Sequence, residues 1–119
     1  MNKTIIPVDI FKRGLCVIID DVNELLAELL NDMSEQEARQ IICDNKNADA
    51  FTIESGNDVI IYSHNPMPLQ ILVHELSHAT SIILKQVGIE DEETYAYLLE
   101  YLFGECLNHP ITCQSCGVP

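Results

Sequence analysis

Residues 74–78 read His-Glu-Leu-Ser-His, two imidazoles four positions apart with a carboxylate directly after the first. On a helix, positions i and i+4 lie on one face, one turn apart, so His74 and His78 can each present a ring nitrogen to the same point. Neutral imidazoles bind Zn²⁺ at about 2.0–2.1 Å, and a hydrolytic zinc site adds a third protein ligand and a water. Two imidazoles with a carboxylate favour zinc over other divalent ions. Glu75 is not needed as a ligand. It is placed to take the proton of a water whose pKa a metal lowers to roughly 7, and to hand that proton to a leaving amine. The expectation is therefore Zn²⁺-assisted hydrolysis of a peptide bond, with His74 and His78 as ligands and Glu75 as general base.

The motif works only if its segment is helical. Asn65-Pro66-Met67-Pro68 forces a turn, and Pro68 suits a first helical position. The helix should run to about Gln86, with Gly88 as its stop. Leu69, Leu72, Leu76, Ala79, Ile83 and Val87 form an apolar stripe at three- and four-residue spacing, and the two histidines fall away from it. A metzincin third ligand would need Gly at 81 and His at 84, where this chain has Ser81 and Leu84. The next helix opens in the acidic run Glu90-Asp91-Glu92-Glu93 and continues to about Leu107. A short turn at Gly88 lets it fold back, so a carboxylate of its first turn can face the imidazoles. Glu93 is the expected third ligand, with Glu92 next and Asp91 and Glu90 behind. The remaining acids suit the positive end of the helix dipole. Tyr97, one turn beyond Glu93, is a candidate to steady an oxyanion. His64 is a candidate for the rim of the cleft.

The elements that must carry this helix precede it. Thr4 to Asp20 reads as one or two strands broken at Lys12-Arg13-Gly14, the stronger being Leu15 to Ile19. Asp21 to Asn31 reads as a helix, with Val22, Leu25, Leu26, Leu29 and Leu30 at helical spacing. Ser34-Glu35-Gln36-Glu37 is a capping box opening a second helix to about Asp44. Phe51–Glu54 and Val59–Tyr62 read as a β-hairpin joined through Ser55-Gly56-Asn57-Asp58.

Read together, His-Glu-Leu-Ser-His-Ala followed by Glu-Thr-Tyr-Ala-Tyr-Leu resembles a minimal gluzincin-type metallopeptidase of the small kind found in phages and mobile elements. The resemblance covers Phe51 to Phe103, and more loosely the N-terminal strand and helix. It implies a zincin-like α+β fold in which a small sheet with a hairpin packs against the active-site helix and a following helix bears a ligand. It implies His74, His78 and Glu93 as zinc ligands, Glu75 as base, and the strand Val59–Tyr62 along the cleft, where zincins bind substrate backbone by strand addition. The chain departs from larger relatives of that type in having no second lobe.

Composition bounds the alternatives. At 119 residues, the chain has room for one domain, here residues 1–119 with an irregular tail at 108–119. Nineteen acids against six bases give a net charge of −13, the wrong sign for nucleic acid or an anionic membrane surface. No apolar run is long enough for a membrane span or signal peptide, and five cysteines make an odd number, so a cytoplasmic protein with free thiols is expected. Cys16 and Cys43 read as small buried hydrophobes. Cys106, His109, Cys113 and Cys116 offer ligand types for a second structural zinc, a redox pair, or a thiolate that blocks the first metal. The expected partner is a protein or peptide substrate. The main competing reading is a non-catalytic, zinc-stabilised interaction module, and a third is hydrolysis of a non-peptide amide.

Overall fold

The structure, a computed structural model, describes residues 3–112. Its elements follow in the order β1 (Lys3–Val8), β2 (Arg13–Ile19), α1 (Val22–Leu29), α2 (Glu35–Asp44), β3 (Ala50–Ser55), β4 (Asp58–Ser63), α3 (Leu69–Val87) and α4 (Glu92–Cys106). A short 3-10 turn, Asp9–Phe11, links β1 to β2. The architecture is α+β, a small mixed sheet with four helices.

The sheet order is β1-β2-β4-β3. β1 and β2 form an antiparallel pair with Lys3 opposite Ile18, and β3 and β4 form the hairpin with Phe51 opposite Tyr62. The two pairs join through a parallel seam, Leu15 opposite Val59 to Ile19 opposite Ser63. This places β2 and β4 inside, covered on both faces, which is why Leu-Cys-Val-Ile-Ile and Val-Ile-Ile-Tyr read as continuous apolar runs rather than alternating ones. Period-2 alternation then divides their side chains. Leu15, Val17, Val59 and Ile61 pack with Leu72, Leu76, Ala79 and Ile83 of α3 and Leu98 and Leu102 of α4. Cys16, Ile18, Ile60 and Tyr62 pack with Leu25 and Leu29 of α1 and Ala38 of α2. The result is three layers, α1 and α2 on one face and α3 and α4 on the other.

Local chemistry fixes the ends. The Asp21 carboxylate accepts from the Glu24 N–H and starts α1. At α2 the capping box is complete: Ser34 Oγ accepts from the Glu37 N–H while Glu37 Oε1 accepts from the Ser34 N–H. The hairpin turn uses Gly56 at φ +61°, where a Cβ would come within 2.6 Å of the Asp32 carboxylate. Pro68, expected as the first helical residue, is instead the N-cap of α3, because its ψ of 153° is still extended. Gly88 ends α3 in the left-handed conformation.

Two cysteine readings change. Cys16 is buried as expected, but Cys43 is exposed on α2. Cys106 is fully buried in the α3–α4 core, and burial pushes its thiol up to about 12, as it does for Cys16. Cys106 is thus a packing residue of that core. His109 is exposed, and Cys113 and Cys116 lie outside the described residues, so the second-zinc reading gains no geometry. Residues 107–111, after α4, form turns that pack back on the fold. Ile111 is buried, its carbonyl accepts from the Met67 N–H at 2.9 Å, and Thr112 pairs with Met67 ahead of α3. Among the described residues, no helix is long and apolar enough to cross a membrane.

Candidate metal centre and hydrolytic groove

α3 is a 19-residue helix whose inward stripe, Leu72, Leu76, Ala79 and Ile83, is fully buried against the sheet. That anchoring sets the phase of everything else on the helix. His74 and His78 fall on the outer face, and Glu75 turns toward β3. His74, Glu75 and His78 line one open groove of about 450 Å³, together with Asn45, Ala48, Ala50, Phe51, Thr52, Ser81 and Ile82.

The two imidazoles converge. Their Nε2 atoms are 3.2 Å apart and the ring centroids 4.7 Å. Two nitrogens bound to one tetrahedral zinc at about 2.0–2.1 Å would be separated by about 3.3–3.4 Å. The pair therefore fits two ligand positions on one ion. The set stops at two: among the described residues no group of three His, Cys, Asp or Glu side chains is assembled for a metal.

The acidic first turn of α4 can be sorted. Asp91 is the N-cap: its carboxylate accepts from the Thr94 hydroxyl at 2.7 Å and from the Thr94 N–H at 3.0 Å. These bonds hold its carboxyl below the usual range, the hydroxyl contributing most. Asp91 is thereby committed to the helix start. Glu93 is exposed and does not line the groove of the histidines. Glu92 lines a neighbouring groove on the side of α4 that meets α3, with Val73, Tyr95, Ala96 and Glu100.

Tyr97 is not brought to the histidines. It is 67% exposed and lines a separate groove formed by α4 and residues 8–11. The reason is helical phase. Leu98, Leu102 and Cys106 are the buried positions of α4, and Tyr97 lies away from that stripe. Tyr95 is the tyrosine of α4 that touches the motif: its hydroxyl is hydrogen-bonded to the Ser77 hydroxyl and joins the two helices, but it does not line the groove of the histidines. His64 does not line the groove; it directly follows β4, with its ring edge-on to Tyr62 at 5.2 Å.

The strand beside the groove is β3, not the expected Val59–Tyr62. β4 is hydrogen-bonded on both sides, to β2 and to β3, and Val59 to Tyr62 are buried. β3 is one of the sheet's two outer strands, and it contributes Ala50, Phe51 and Thr52 to the groove. Thr52 is the residue that sequence reading missed. Its hydroxyl donates to Glu75 Oε1 at 2.6 Å and lies 3.2 Å from the Glu75 carbonyl. Glu75 is only 6% exposed, so its carboxylate requires such a donor. The signal was present in the alternation of β3. Phe51 and Ile53 turn to the α1–α2 face, which leaves Ala50, Thr52 and Glu54 on the face of α3.

The geometry supplies a pair of convergent imidazoles, a buried and oriented carboxylate one residue from the first of them, and an outer strand alongside. No protein-family model, no curated protein and no solved structure matches the chain.

Proposed function

We propose that the chain is a small zincin-like zinc metallopeptidase that hydrolyses peptide bonds within a protein substrate. The observation that carries this reading is the single groove holding His74 and His78, Nε2 atoms 3.2 Å apart, with Glu75 buried beside them. A structural pair of ligands has no use for a buried carboxylate adjacent to it, whereas hydrolysis needs a base there.

His74 and His78 would hold the metal, with a carboxylate of the first turn of α4 as third ligand. Glu93 is the residue assigned by sequence and Glu92 the alternative; neither lines the groove of the histidines. When bound, zinc would supply Lewis-acid polarisation of the scissile carbonyl and an acidified water. Glu75 accepts the proton of the attacking water and returns it to the leaving amine. β3 offers its outer backbone edge to an extended substrate, in the role the resemblance gave to Val59–Tyr62.

The test is hydrolysis of unfolded, fluorophore-quenched casein by the full chain with zinc added. Cleavage that chelation abolishes and zinc restores is expected. Bound zinc with no cleavage of casein or of a mixed peptide pool would move the chain to the interaction-module reading.

A further inference from the structure

Buried carboxylates are expensive, and the partner a fold gives one shows how it is meant to be used. Moving an ionised carboxyl out of water is tolerated where a donor is aimed at it. Glu75 has such a donor in Thr52, 23 residues away in sequence, and the bond is short at 2.6 Å. Thr52 is held in turn by the hairpin, opposite Ile61 of β4. Its backbone is that of an outer strand of the sheet, and Thr52 is one of the three residues, with Ala50 and Glu54, that β3 turns toward α3. Glu54 meets α3 through Gln86, whose Nε2 donates to it at 2.8 Å. That contact lies on an exposed part of the seam. The Thr52 contact lies inside the groove with both histidines.

We propose that Thr52 is a positioning residue for the general base. This rests on the hydrolytic reading above and adds to it a residue on a different element. The Thr52 hydroxyl engages Oε1 of Glu75 and fixes the carboxylate plane, leaving Oε2 to meet the attacking water. Because the donor belongs to the strand that lines the groove, base and substrate-binding edge are set by one rigid piece of sheet. No proton passes through Thr52; it acts through Glu75. A base so held reaches the transition state without reorganising, and misplacement of a reacting group by an ångström costs up to about a hundredfold.

Two readouts on the full-length chain test this, using Thr52→Val, which keeps the shape, and Thr52→Ser, which keeps the hydroxyl. The first is the ¹³C resonance of the Glu75 carboxyl, which reports the contact whether or not the chain hydrolyses anything. It should move in Thr52→Val and return toward wild type in Thr52→Ser. An unmoved resonance in Thr52→Val overturns the proposal. The second is casein cleavage with zinc present. Thr52→Val should lower kcat by roughly ten- to a hundredfold with KM within about twofold, and Thr52→Ser should recover most of it. A change confined to KM, or equal losses in both variants, would make Thr52 a merely structural residue and overturn the proposal. A wild-type chain that cleaves nothing while the resonance behaves as expected overturns the hydrolytic reading, and with it the positioning role.

Discussion

Glu75→Gln is expected to lower kcat for casein cleavage by about 10²–10⁴-fold while bound zinc and thermal stability stay near wild type. The substitution keeps the volume of the side chain and keeps an oxygen that can accept from the Thr52 hydroxyl, which contacts Oε1 at 2.6 Å. What it removes is the ability to take a proton. Since Glu75 is not one of the imidazoles converging on the shared point, the metal-binding pair is left as it was. Activity within about twofold of wild type in Glu75→Gln would contradict the role assigned to this carboxylate. Parallel zinc analysis guards against a trivial loss of metal.

The second large effect is on stability. Leu76→Ala should destabilise the fold by about 2–5 kcal/mol, a substantial share of the roughly 5–15 kcal/mol available to a domain of this size. Leu76 is 0% exposed and packs from α3 against the sheet, in one cluster with Val59, Ile61, Leu72 and Ile83. It is also the central residue of the motif, so the same side chain that anchors the helix sets the direction of His74, Glu75 and His78. Urea denaturation should show a lower midpoint with an unchanged slope. A loss below about 1 kcal/mol would contradict this burial.

The active helix was readable in the sequence because one pattern and one phase coincide there. The stripe through Leu72, Leu76 and Ile83 is unambiguous, and it sends the histidines outward without further information. The capping box at Ser34 was readable because it is local, made within three residues. Strand order was not. Placing β4 between β2 and β3 depends on a parallel pairing across more than forty residues, for which the sequence carries no adjacent signal. That is why β3, and not Val59–Tyr62, is the strand beside the groove.

Tyr97 was misplaced because the direction its face of α4 takes relative to the histidines is set by how α4 packs on α3. Leu98, Leu99, Leu102 and Phe103 are legible as packing positions and do pack in the core, but that stripe alone does not tell which neighbour the opposite face meets. Thr52 was missed because a threonine in a strand is ordinary by propensity. Its meaning comes from the buried carboxylate across from it.

The most direct measurement is metal content by elemental analysis of untagged protein, with His78→Ala, Glu92→Ala and Glu93→Ala beside the wild type. About one zinc per chain is predicted for wild type, lost in His78→Ala and in whichever α4 variant removes the third ligand. Wild type that takes up no zinc when it is supplied, or His78→Ala that keeps it, would contradict the metal centre on which the whole account stands.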